Sequence, residues 1–384
     1  MLKLQKLADR GQAIWFDYIR RSLITSGELQ SLIDQGIRGV TSNPTIFEKA
    51  IAGSSDYDEE LVSLVKKGAT VEGIYEELAL GDIARTADLF KPVYDRTAGL
   101  DGYVSIEVSP ELAYDAEKTV EEAVRLFSKL GRPNVMIKVP ATSEGIVATQ
   151  ALISEGINVN VTLLFGIGSY RGAALAYLAG LEQLLAAGRD ISKVASVASF
   201  FVSRVDTLVD PELEKHALKD FTGRIAVDNA KVAYGVFKQL FSGPRWERLE
   251  RSGARPQRLL WASTGTKNPA YPDTLYVDEL IGPHTVNTVP PATLQAFLGH
   301  GRIEDTLDKG IEESKARIER LSKEGIDLDA ITAKLQKDGV ELFVGSFHSL
   351  MDSIAAKRRE IIVGSHLVRA ELGTSSSCPC NEGT

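Results

Sequence analysis

The chain has 384 residues, 43% of them apolar and 25% charged, with 44 lysines and arginines against 52 aspartates and glutamates and a formal net charge of −8. These are globular values, and they exclude intrinsic disorder, a collagen-like repeat and a membrane-embedded chain. The acidic balance speaks against nucleic acid and anionic membrane as partners, so any phosphate must be held by a local cationic pocket. Cys378 and Cys380 are the only cysteines, which leaves no disulfide framework and no four-cysteine zinc site. The opening residues carry scattered charge and lack the apolar core of a secretory signal, so a cytoplasmic location is expected.

Short segments rich in Val, Ile and aromatic residues alternate with helical patterns and predict eight parallel strands, at 13–18, 39–43, 103–108, 134–139, 158–165, 193–201, 258–263 and 285–289. Eight such units favour closure into a (β/α)8 TIM barrel over an open sheet. Spacers of about 60 residues after Asn43 and after Phe201 leave room for extra helices. After the third strand, Ser109 and Pro110 read as a helix start, Val120, Ala123, Val124, Phe127 and Leu130 as its apolar stripe, and Gly131 as its stop. The apolar stretch 172–188 is interrupted by Glu182 and Gln183 and reads as a packed helix. Beyond Val289, the spacing of Phe343, Phe347, Leu350 and Ile354 puts them on one helix face. The expected organisation is a single barrel domain over 1–370 with C-terminal packing helices. A polar, Ser-rich and disordered tail is expected over 371–384.

A parallel barrel strand is apolar toward the helices, while its inner face near the C-terminal end carries chemistry. With a period of two, Val135, Ile137 and Val139 face the helices and Lys138 faces in. By the same alternation Ser105 and Glu107 point inward between Val104, Ile106 and Val108. Asn158, Asn160 and Thr162 point inward between Val159, Val161 and Leu163. Asp17 and Asn43 fall at the ends of the first two strands, and Ser199 lies in the sixth. One lysine, two carboxylates and several amides and hydroxyls therefore converge on one mouth.

Burial disfavours an ammonium, and a neutral amine can attack a carbonyl to give a Schiff base, with nearby carboxylates moving the protons. The five histidines are scattered, with no His-Glu-x-x-His spacing, so no catalytic metal is expected. Taken singly, each residue has a plainer reading. Lys138 would be a buried ion-pair partner of Glu107 or Asp17, Asn43 and Thr162 helix caps, and Arg204 and Lys267 solvated charges. Their convergence favours chemistry.

At GVTSNPTIFEKAI (39–51), DGYVSIEVSPELAYD (101–115), RPNVMIKVPAT-x-EGI (132–146), EGINVNVTLLFG (155–166), SVASFFVSRVD (196–206) and the stretches 261–293 and 325–347, the sequence resembles the transaldolase family, in its longer branch. The resemblance covers nearly the whole chain except the tail. It implies a cofactor-free Schiff-base enzyme of the non-oxidative pentose phosphate pathway that moves a dihydroxyacetone unit between sugar phosphates. The donor would be fructose 6-phosphate or sedoheptulose 7-phosphate, and the acceptor erythrose 4-phosphate or glyceraldehyde 3-phosphate. By the family motif Lys138 forms the imine, Asp17 takes the C4 hydroxyl proton, and Glu107 and Thr162 activate the water of imine formation and hydrolysis. Asn43 and Asn160 match binders of the sugar hydroxyls and the amine, Ser199 and Phe201 the pocket wall, and Arg204 a phosphate-binding arginine. Shorter-branch members place a second arginine after the seventh strand, where this chain reads Ser263-Thr-Gly-Thr-Lys267. Ser263 and Lys267 are carried as phosphate contacts, the lysine as a point charge without a bidentate fork. Fructose 6-phosphate aldolase and a non-catalytic sugar-phosphate-binding barrel stand as alternatives, and the oligomeric state stays open between monomer and homodimer.

Overall fold

A computed structural model describes residues 2–373. Eight parallel strands, β1 (Gln12–Phe16), β2 (Gly39–Val40), β3 (Tyr103–Glu107), β4 (Val135–Pro140), β5 (Val159–Leu164), β6 (Ser196–Phe201), β7 (Arg258–Ala262) and β8 (Thr285–Val289), close in sequence order into the expected barrel. Every strand residue is buried, because the side chains fill the barrel on one face and meet helices on the other. The two long spacers hold the extra helices, among them Asp58–Lys66 and Val71–Arg96 after β2 and Ile225–Leu240 and Gly243–Arg251 after β6. No described helix is long and apolar enough to cross a membrane.

Three local readings shift. The helix after β3 starts at Ala116, capped by Asp115 through Lys118 N, while Pro110–Leu112 forms only a short separate turn. Its buried side is Thr119, Ala123, Leu126 and Leu130, ending at Gly131 with φ 60°, and Val124 lies exposed. β2 is only two residues long, since Asn43 already caps the helix Pro44–Phe47, and it meets β1 through the single pair Phe16 and Val40. Gly39 on that thin strand has no room for a side chain: a Cβ would stand 2.6 Å from the Trp15 ring and 2.8 Å from the Tyr103 carbonyl. In β5 the pairing with β6 slips between Val161 and Leu164, and Leu163 takes φ 57°. This bulge takes Leu163 out of simple alternation.

The barrel's N-terminal end is plugged. Arg258 donates to Asp101 at 2.8 Å and to the carbonyls of Leu100 and Thr285, beside the buried Trp15 and Tyr103 rings. The C-terminal mouth is covered from one side by the last helix, Leu328–Gly373, which packs against the helices Pro44–Phe47, Val71–Arg96 and Ser203–Lys215. Residues 374–384, most of the expected tail, lie outside the described residues.

Candidate active site

Register brings the inward residues together. Glu107 pairs with Lys138 across β3 and β4, and Lys138 pairs with Asn160 across β4 and β5. The amine of Lys138 is buried, donates to the Ser42 carbonyl at 3.0 Å and lies 3.3 Å from Glu107 Oε2. On another side it faces the ring of Phe343, whose centroid is 5.9 Å away.

Behind the amine a fully buried polar belt fixes orientation. Ser199 Oγ donates to Asn160 Oδ1 at 2.6 Å, and Asn160 Nδ2 donates to Ser105 Oγ at 3.0 Å. The Ser105 carbonyl accepts from Ser42 Oγ at 2.7 Å, which ties the belt to the segment that holds Lys138. Thr162 Oγ1 is buried with no hydrogen-bond partner among the described residues, so it caps no helix and its bonding capacity is unused.

Asp17 stands at the edge of the mouth, just past β1. Thr41 Oγ1 donates to its Oδ1 at 2.7 Å and is itself linked to Thr288. Burial raises the Asp17 pKa, against the lowering effects of Thr41, Lys138, Lys267 and Arg204. Burial also raises that of Glu107, with Lys138 opposing it. A carboxyl whose pKa is raised holds its proton more tightly than a free one, which suits it to return a proton as well as accept one. Asn43 serves as a cap, its Oδ1 accepting from Ile46 N at 2.9 Å.

Arg204 is half-buried and Lys267 is exposed, and neither has a hydrogen bond or an ion pair among the described residues. Burial lowers the pKa of both. The field of Arg204 lowers Lys267 further, and Asp17 opposes the shift in each. Both cations lie close enough to Asp17 to lower its pKa, so positive charge without an ion-pair partner among the described residues gathers beside the mouth. Phe201 lies beneath the guanidinium, 5.6 Å from ring centre to Cζ, and against Phe165 at 5.1 Å. Ser263, at φ 54°, meets the Ser203 hydroxyl at 3.0 Å on the rim.

Comparison with known proteins decides the family. The sequence model described as transaldolase/fructose-6-phosphate aldolase matches residues 14–354. The chain belongs to the transaldolase/fructose-6-phosphate aldolase family. Among its relatives, a transaldolase of Trichodesmium erythraeum is 47% identical across 93% of this chain and 98% of the relative. One of Thermobifida fusca is 48% identical across 92% and 97%, and transaldolase 2 of Nostoc punctiforme 46% identical across 92% and 97%.

The site of this family member contains residues that alternation did not single out. Thr41 and Ser42 lie in the segment after β2, inside the predicted strand 39–43, of which only Asn43 stands out by sequence. Phe343 was legible only as one position of a packing stripe. Among the described residues no group of three or more His, Cys, Asp and Glu side chains is arranged to hold a metal ion.

Proposed function

We propose that the chain is a transaldolase that carries a dihydroxyacetone unit from fructose 6-phosphate or sedoheptulose 7-phosphate to erythrose 4-phosphate or glyceraldehyde 3-phosphate. The observation that carries this reading is the buried amine of Lys138, held between Glu107 and the Ser42 carbonyl in the mouth of the barrel. Lys138 attacks the C2 carbonyl, water leaves, and a protonated imine forms. Asp17 takes the C4 hydroxyl proton, the C3–C4 bond breaks, and the first aldose phosphate departs, leaving an enamine on Lys138. The enamine carbon then bonds the acceptor's carbonyl carbon, whose oxygen takes up the proton, and hydrolysis frees the new ketose.

Glu107 and the partnerless hydroxyl of Thr162 position the water that leaves and returns. Asn160 and Asn43 hold sugar hydroxyls, Ser199 and Phe201 form the wall, and Arg204, with Lys267 and Ser263, takes the phosphate. The chemistry calls for no cofactor. Such an enzyme would serve the pentose phosphate pathway in the cytoplasm.

The deciding experiment mixes fructose 6-phosphate with and without erythrose 4-phosphate and follows glyceraldehyde 3-phosphate. Release that requires the acceptor supports transfer. Equal release without it, with stoichiometric free dihydroxyacetone, makes the chain an aldolase, and no release in either mixture makes it a binding barrel.

A further inference from the structure

The last helix reaches the catalytic strands directly. Gln336 Nε2 donates to the carbonyl of Ala141, just past β4, at 2.8 Å and to that of Leu163 in β5 at 3.2 Å. The bulge aims Leu163 at this helix: a Cβ added to Gly339 would come within 3.0 Å of the Leu163 side chain. Further along, the Ser346 and Thr45 hydroxyls meet at 2.8 Å. Between these anchors Phe343 is buried over the mouth. Among the described residues it is the only ring within cation–π range of the Lys138 amine.

The helix thus presents a rigid apolar roof to an amine whose other neighbours, Glu107 and the Ser42 carbonyl, are polar. The face of a benzene ring is negative and attracts a cation, and its bulk excludes water from that side. A protonated imine on Nζ gains from the first property. A neutral enamine is protected by the second, because its loss to water requires a proton on the enamine carbon and then addition of water across the C=N bond. Those two steps release dihydroxyacetone and restore the amine.

Resting on the transaldolase reading above, we propose that Phe343 is a specificity-determining residue, holding the three-carbon enamine on Lys138 for an aldose-phosphate acceptor instead of releasing it to water. The ring acts on the partition of an intermediate and takes no part in bond making.

Phe343→Ala removes the roof, and Phe343→Leu keeps apolar bulk but removes the π face. With fructose 6-phosphate, each variant is assayed for free dihydroxyacetone released without acceptor and for transfer to erythrose 4-phosphate. The imine present at steady state is trapped with borohydride. The ratio of release to transfer should rise about tenfold in Phe343→Ala, the scale of one desolvated ring contact. Phe343→Leu should show less trapped imine and a smaller rise. A purely structural residue would lower both rates together and leave the ratio fixed. Should Phe343→Ala not fold, the ratio and trapped fraction in Phe343→Leu decide alone. Wild-type transfer accompanied by unchanged ratios and trapped fractions in the folded variants overturns this inference and leaves the activity standing. Absence of acceptor-dependent transfer in the wild type overturns the activity itself and this inference with it.

Discussion

Lys138 Nζ and Glu107 Oε2 lie 3.3 Å apart on neighbouring strands, paired in register and both buried. An ion pair taken out of water this far contributes little net stability, because desolvation of the two charges offsets their attraction. In the proposed mechanism its value is in holding an amine and a proton carrier at a fixed separation where a carbonyl can reach both.

Borohydride reduction in the presence of fructose 6-phosphate should therefore place an adduct on one lysine peptide, that of Lys138, readable by mass spectrometry. Lys138→Met should lose both adduct and turnover, as should Lys138→Arg, whose guanidinium stays protonated. An adduct on another lysine, or an active Lys138→Met, would overturn the assigned mechanism.

In the proposed mechanism Asp17 has to be ionised to take the C4 proton, and its pKa is raised by burial, so turnover should climb with pH through a limb above the ordinary aspartate value of 3.8. Asp17→Asn should still form imine but lose carbon–carbon cleavage. The same shift has a consequence for stability, since the folded chain holds this proton more tightly than the unfolded chain. Its contribution is present below the unfolded pKa and is lost as pH rises through the folded one. The thermal midpoint of Asp17→Asn should exceed that of the wild type at neutral pH and converge with it in acid. Wild-type cleavage in the variant would remove Asp17 from the chemistry.

Arg204 is a half-buried cation with no hydrogen bond or ion pair among the described residues, and its replacement tests the proposed phosphate site. Arg204→Ala should weaken fructose 6-phosphate by about 1.5–3 kcal/mol in kcat/KM, the range of a hydrogen bond to a charged group. Fructose itself should be affected far less. Equal losses on both sugars would mark the arginine as structural.

Gly39 tests the packing beneath the mouth. A methyl group there meets the Trp15 ring at 2.6 Å and a carbonyl at 2.8 Å. Gly39→Ala should cost about 1–3 kcal/mol in denaturant unfolding. An unchanged midpoint would show that β2 can shift to admit it.

Much of this site could be read from alternation alone, because a strand side chain can only face the core or the helices. Lys138, Glu107, Ser105, Asn160 and Ser199 stand in the barrel as a period of two requires: hydrogen bonds join Ser199, Asn160 and Ser105, and Lys138 lies 3.3 Å from Glu107. Asn43 was also legible, since an asparagine before a proline is a helix start as much as a strand end. Leu163 was not, because a bulge leaves no mark in the sequence and resets the alternation where it occurs. Phe343 and Gln336 were hidden for another reason: an apolar stripe tells that a helix packs but not against what. The partner here is 195 positions away.

That separation has a temporal side. Chains fold as they are made, from the N-terminus onward, and all eight barrel strands have been synthesised by Val289, ahead of the helix that carries Gln336, Phe343 and Ser346. A nascent chain can therefore close its barrel before it can cover its amine. On the proposed mechanism, Lys138 would stand open during that interval to any small aldehyde in the surroundings, and delivery of the last helix would turn a reactive lysine into a selective one.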